Sequence, residues 1–164
     1  MTLPPWLPPL LNLPPSDRQA CTEANKHFQS CAALGCSLNG LPVYWDTWPA
    51  HTGFCHAFVH LASQEVPPGS GNRQLNRLRM ERIPWWFAIV QNVGDPAIEA
   101  WISLEKGQRR VYLWLRSESY VVVLGERERQ RVLSSYHLIT AYYVDGRSGE
   151  RKLRQSQDNR ISWL

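Results

Sequence analysis

Apolar residues recur along this chain at two different periods, and the change of period divides it into a helical part and a β part. Ala20, Ala24, Phe28, Cys31 and Leu34 return every three or four positions, the spacing of a helix with one buried stripe. Ser16-Asp17-Arg18-Gln19 just ahead of them reads as a capping box, with Ser16 at the N-cap and Gln19 three residues on. Gly35 is placed to stop the helix, so a helix is predicted over 17–34. Residues 41–45 are strand-like, and the apolar run 54–61 is too short for its period to decide between strand and helix. Pro67-Pro68-Gly69-Ser70-Gly71 predicts a loop. Residues 73–82 have helical composition, with Leu75 and Leu78 on one side. Pro84 then interrupts, and 85–91 continues as a further helix with Pro84 near its first turn.

From residue 97 the chain is rich in Val, Ile, Tyr, Trp and Thr, which predicts strands over 97–104, 110–117, 120–124 and 133–145 with short connections. Asp145-Gly146 reads as a turn that returns 151–153 as a short last strand. The predicted fold class is therefore α+β: N-terminal helices (about 16–92) followed by a four-stranded antiparallel β-meander (about 97–155). Ahead of this single domain, residues 1–15 hold six of the twelve prolines, as Pro-Pro pairs around Trp6 and several leucines. An extended, polyproline-like arm is expected there, loose until something covers it, or a docking arm for a partner protein.

Composition adds limits. The chain is 164 residues long, 43% hydrophobic and 20% charged, which suits one globular domain with its own core. No run approaches the roughly 18 uncharged apolar residues that span a bilayer. The apolar N-terminus lacks a basic region, and its prolines break a signal-peptide core, so a cytoplasmic chain without membrane contact is expected. Net charge is +4, unevenly placed: residues 1–72 carry a net −2 and residues 73–164 a net +6. Fifteen of the eighteen basic side chains are arginine, the cation suited to bidentate phosphate contacts and to stacking on bases. Nucleic acid becomes a partner to consider.

Candidate chemistry falls in three places. Cys21, Cys31, Cys36 and Cys55 share the first third with His27, His51, His56 and His60, but no ligand pair has the tight spacing of structural zinc. Buried free thiols are the expected state. In 110–116, strand alternation puts Val111, Leu113 and Leu115 on a core face and Arg110, Tyr112, Trp114 and Arg116 on the other. That second face is either a platform for phosphates and stacked bases or the cover of a second small core. The segment 134–143 gathers Tyr136, His137, Thr140, Tyr142 and Tyr143. Regular alternation sets His137 and Tyr143 opposite Tyr136, Thr140 and Tyr142 unless a bulge intervenes.

No phosphate-binding glycine loop, dinucleotide fingerprint, nucleophile elbow or H-E-x-x-H motif is present, and no cofactor is implied. An enzyme with this inventory works with His, Tyr, Thr, Arg and Lys, which suits transesterification at RNA phosphates without a metal.

Five stretches carry a resemblance to a known group. They are Phe54-Cys55-His56-Ala57-Phe58, the run Arg79-Met80-Glu81-Arg82-Ile83-Pro84-Trp85, Tyr120-Val121-Val122-Val123-Leu124, Leu138-Ile139-Thr140-Ala141-Tyr142 and Lys152-Leu153. In this order they resemble the phage-associated and bacterial-toxin nucleases of the barnase–EndoU–colicin–RelE group, over about residues 50–155. The resemblance implies a toxin or phage-defence endoribonuclease, RNA as partner and a cognate inhibitor protein. By it, His56 transfers protons, Arg82 binds phosphate, and Thr140 and Lys152 stand at the far wall of the cleft. The combined expectation has His56 or His137 as acid or base and Arg79, Arg82 and Arg110 on phosphate. Tyr112, Trp114 and Tyr142 then contact bases, with Arg116 on the same face. The rival expectations are a non-catalytic adaptor that binds a protein partner through Trp6, Trp45, Trp48 and the proline arm, and RNA binding without cleavage.

Overall fold

The helical stripe of the N-terminal half folds as its spacing requires. In the computed structural model, which describes residues 3–49 and 53–164, helix α1 (Asp17–Leu34) buries Ala20, Cys21, Ala24 and Phe28. Ser16 occupies the N-cap position without a side-chain cap bond, so the capping box has the right residues but not its reciprocal bonds. Gly35 ends the helix with φ at +65°, a left-handed value that costs other residues more than glycine. Two short strands follow, β1 (Ser37–Leu38) and β2 (Leu41–Tyr44). The ambiguous apolar run becomes a helix, α2 (His56–Ala62), which buries Ala57, Phe58, Leu61 and Ala62 along one side. His51 of the cysteine–histidine set lies outside the described residues.

The expected helix over 73–82 is corrected. Arg73 instead enters a two-stranded hairpin, β3 (Ser63–Glu65) with β4 (Arg73–Leu75), and only a single turn, α3 (Arg77–Met80), is helical. Asn76 divides the two: its backbone is extended, and its side chain accepts from the Arg79 N–H as an N-cap. Helix α4 (Trp85–Gln91) follows, with Pro84 as its N-cap.

The four β segments pair in sequence as antiparallel strands, β5 (Ile98–Glu105), β6 (Gln108–Leu115), β7 (Tyr120–Arg129) and β8 (Val132–Tyr143). They form the middle of a larger sheet, which corrects the expected four-stranded one. Strand β2 joins β8 in parallel, β1 lies beyond it, and β9 (Ser162–Trp163) lies beside β5. The sheet is thus seven-stranded and mixed. The expected strand at 151–153 is also corrected: Asp145 stands at the N-cap position, without a side-chain cap bond, of a helix, α5 (Gly146–Asp158), of which Leu153 is the buried residue.

Both faces of the sheet are covered. On one face Val111, Leu113, Leu115, Val122 and Leu124 meet α1, α2 and α4, where Phe28 sits among the rings of Trp45, Phe58 and Trp86. On the other face α5 lays Leu153 over Trp101, Tyr112, Trp114, Val121 and Val123. Trp114 is 1% exposed and Tyr112 7%, so the base-stacking platform is corrected to the cover of a second core. Tyr112 stacks on Trp101, with ring centroids 5.1 Å apart.

The proline segment is no free arm. Leu7 and Leu13 are buried in the first core, and the Trp6 indole donates to Asp95 at 2.7 Å. The Trp85 indole donates to the Pro8 carbonyl at 2.9 Å, and Arg77 donates to the Pro14 carbonyl at 3.0 Å. Prolines suit this run because they leave few backbone N–H groups to satisfy against an apolar surface. Leu7→Ala is expected to cost about 2–5 kcal/mol, as buried leucines do, seen as a lower urea midpoint at unchanged slope. An arm that was free would lose almost nothing.

Candidate functional site

Strand β8 contains two residues more than its partner, Ser134 and Ile139, each left unpaired at a shift of register, and the second lies at the grooves. Val123 of β7 stands opposite Thr140, yet the next residue, Leu124, stands opposite Leu138, leaving Ile139 unpaired in a bulge. The bulge resets the alternation. Tyr136 and Leu138 before it, and Ala141 and Tyr143 after it, belong to the first core. His137, Thr140 and Tyr142 therefore share the opposite face, where regular alternation would have kept them apart. On that face the rows read Arg110–Gly125–His137, Tyr112–Val123–Thr140 and Trp114–Val121–Tyr142 across β6, β7 and β8.

Helix α5 covers part of this face, and the remainder opens into two grooves that meet at Ile139, Thr140 and Tyr142. The first, about 430 Å³, is walled by His60 of α2, by Glu65 and Arg73 of the β3–β4 hairpin, and by Arg79 of α3. Arg73 donates from Nε to the Ser63 hydroxyl at 2.9 Å and from Nη2 to the Ser63 carbonyl at 3.0 Å. Arg79 donates to the same carbonyl at 2.7 Å, and its guanidinium lies 5.4 Å from the centre of the Tyr142 ring. Both cations thus sit on carbonyls left unpaired at the end of α2. Burial, with Arg73 and His56 close by, pushes the His60 pKa down to about 4. At neutral pH this imidazole is an uncharged proton acceptor. Burial raises the Tyr142 pKa, so its phenol keeps its proton, while Arg79 opposes that shift.

The second groove, about 680 Å³, is lined by Glu105, Lys106, Gln108, Arg110 and the rim of Tyr112. The Tyr112 hydroxyl donates to Glu105, and Arg110 donates to the Gln108 side-chain carbonyl. Arg110 reaches across β7 because its neighbour there is Gly125. A Cβ on Gly125 would lie 2.7 Å from Arg110 Nη1 and 3.2 Å from Ile139 Cδ1.

The two histidines singled out from the sequence are drawn together by a residue that was not. Asp46, just past β2, places Oδ2 3.6 Å from His56 Nδ1 and Oδ1 3.4 Å from His137 Nε2. The parallel pairing of β2 with β8, in which Tyr44 is opposite His137, brings Asp46 there. His56 in turn lies against His60, ring centroids 4.4 Å apart. His56 and His137 stand behind the groove, and His60 stands in it. Sequence reasoning passed over His60 and Arg73 as site residues. The four-residue spacing of His56 and His60 would have found the first had 54–61 read as helix.

Four expected site residues lie elsewhere. Arg82 is 13% exposed and packed between the Trp85 and Tyr143 rings at 5.1 and 4.8 Å, on the first-core side, so its phosphate role is corrected to a packing one. Trp114 is buried, and Arg116 beside it pairs with Glu99 at 3.0 Å, away from the grooves. Lys152 is exposed on α5, not on a cleft wall. Thr140, Tyr142, Arg79, Arg110 and the edge of Tyr112 are brought together. The four cysteines are free, and among the described residues no three His, Cys, Asp or Glu side chains are arranged to hold a metal ion. No described helix is long and apolar enough to cross a membrane.

No protein-family model matches the chain, and no curated protein or solved structure matches it.

His60 is expected to titrate near pH 4 in the folded protein, against 6.5 for an ordinary histidine, as read by NMR of its ring protons. Arg73→Gln should move that midpoint upward, since Arg73 disfavours the proton. The unfolded chain binds a proton here that the folded chain refuses between these two pH values. This site therefore lowers stability as pH falls from about 6.5 towards 4, and adds no further loss below that.

Proposed function

We propose that this protein is a metal-independent endoribonuclease that cleaves RNA by attack of the ribose 2′-OH on the adjacent phosphate. The observation that carries the reading is the convergence of His60, Arg73, Arg79, Thr140 and Tyr142 on one groove. These are a base, an anion clamp and hydroxyl donors, the parts that phosphate transesterification needs. Neutral His60 takes the proton from the 2′-OH, whose oxygen then attacks phosphorus in line. Arg73 and Arg79 stabilise the extra negative charge on the phosphorane, and the Thr140 hydroxyl donates to a non-bridging oxygen. The P–O5′ bond breaks as the Tyr142 phenol gives its proton to the leaving oxygen. The products are a 2′,3′-cyclic phosphate and a 5′-hydroxyl, and solvent restores both side chains.

His56 is a positioning residue in this scheme. It packs on His60, and its own nitrogen faces Asp46, whose second oxygen faces His137. The likeness to toxin and phage nucleases supports the same chemistry and a defence or toxin role with a cognate inhibitor. The adaptor alternative rests on the proline arm with Trp6, Trp45 and Trp48; the burial of Leu7 and Leu13 and the Trp6–Asp95 bond weaken the arm's part in it, while Trp48 stays exposed.

The experiment is incubation of the purified protein with RNA in EDTA. The wild type should release cyclic-phosphate ends. His60→Ala should slow cleavage about 10²–10⁴-fold, the usual worth of a proton-transfer residue. Arg79→Ala should cost about 10²–10³-fold, while Lys152→Ala stays within about twofold. Cleavage indifferent to both groove variants would overturn the reading. Salt-dependent binding without cleavage would leave an RNA-binding protein. For His56→Gln, the acid limb of the pH–rate profile should move to higher pH, because His56 helps hold the His60 pKa down.

A further inference from the structure

A third groove lies between α1, α2 and β4, and its walls are of another kind from those around His60. It holds about 440 Å³, within the range of small-molecule sites. Phe54, Phe58, Val59 and Ala62 come from α2 and the chain just before it, Leu75 from β4 and Cys21 from α1. These walls are fixed by contacts of their own. The Phe54 and Phe58 rings pack with centroids 5.3 Å apart, and the Asn76 N–H donates to the Ala62 carbonyl at 2.9 Å. Yet the lining does not close on itself. Leu75 keeps 47% of its surface exposed, and Phe54 is only half-buried.

Two polar residues stand at the rim, Arg18 and Thr22, one helical turn apart on α1. The Thr22 hydroxyl is committed to the Arg18 carbonyl at 3.0 Å. The Arg18 guanidinium is exposed and makes no ion pair among the described residues. It also sits in the first turn of α1, where the helix dipole opposes a cation and favours an anion. Ser16 supplies no side-chain cap there, and Asp17, the acid of that turn, is not part of the lining. A cation set against its own helix dipole, beside an apolar cleft with no carboxylate in its walls, matches a guest with an apolar body and one anionic end.

We propose that this groove binds a medium-chain carboxylate. Its tail lies between Phe54, Phe58, Val59 and Leu75, and takes the exposed faces of Leu75 and Phe54 out of water. Its head receives the two parallel N–H bonds of the Arg18 fork. Helix α2 and strand β4 also supply His60 and Arg73 to the other groove, but the two grooves share no lining residue. The assignment is therefore independent of any RNA chemistry.

The test titrates the isotopically labelled full chain with octanoate below its micelle concentration, followed by amide NMR. Saturable shifts should centre on Cys21, Thr22, Val59, Ala62 and Leu75. Octanoate should bind about tenfold tighter than octanol, the scale of a charge-assisted hydrogen-bonded pair, and octylammonium more weakly than either. Arg18→Gln should bring octanoate to within about twofold of octanol and leave octanol binding unchanged. Leu75→Ala should weaken acid and alcohol alike, by about fivefold, because it shortens the apolar wall. Both substituted side chains are exposed, and the amide spectrum itself reports that each variant is folded. No saturable shift at these amides, equal affinity for acid, alcohol and ammonium, or a preference for the acid that survives Arg18→Gln overturns the proposal. So does binding to phosphatidylglycerol vesicles with no response to free octanoate, which would make this face a membrane contact instead.

Discussion

The bulge at Ile139 in β8 governs which side chains face the two grooves. Strand alternation has a period of two, so an inserted residue exchanges the faces of everything beyond it. Without Ile139 unpaired, Thr140 and Tyr142 would point into the first core if His137 kept its place. With it, one strand serves both needs: Tyr136, Leu138, Ala141 and Tyr143 pack inward, while His137, Thr140 and Tyr142 face out. Such a bulge disrupts the ladder locally, and here it sits where the two grooves meet.

Charge placement around His60 follows from the short helix that carries it. The end of α2 leaves carbonyl oxygens without helical partners, and the His60 and Ser63 carbonyls accept from Arg73 and Arg79. Those bonds offset the burial of two like charges, and Glu65 lies 3.7 Å from Arg73 as a further partner. The same cluster works against a proton on His60. Two oriented guanidinium groups and an uncharged imidazole thus come from one arrangement. A histidine with its ordinary pKa would be partly protonated at neutral pH and would add a third cation to the cluster.

How much of this was legible depends on whether a signal was local. Helix α1 carries about four turns of periodic apolar residues, and the four meander strands are dense in β-branched and aromatic residues, so both could be read directly. Helix α5 could not: of GRSGERKLRQSQD only Leu153 is apolar, and its folding depends on capping the Trp101–Trp114 surface. That surface also explains the platform misreading. Tyr112 and Trp114 do share a face with Arg110, but a helix from 30 or more residues further along the chain covers them. Asp46 was invisible for a similar reason. Its contact with His137 depends on a parallel pairing between β2 and β8, and no spacing in the sequence records a pairing across that distance.

The arginine excess of the C-terminal part looks, in the sequence, like a binding surface in its own right, but the grooves use few of its cations: Arg73, Arg79, Lys106 and Arg110. Arg127, Arg129 and Arg131 cluster at the β7–β8 turn, and Arg147, Arg151, Arg154 and Arg160 line α5 and its exit. At these exposed positions they contribute to a polyanion's approach through the summed field, which salt screens over about 10 Å at 0.1 M. Arg73, Arg79 and Arg110 lie among hydrogen-bond acceptors or beside an aromatic ring, where orientation is fixed, whereas Lys106 is exposed at the β5–β6 turn. Attraction and recognition are thereby carried by different residues. On the proposed ribonuclease reading, removing exposed arginines should change how fast RNA arrives, and changing the groove should change what happens to it.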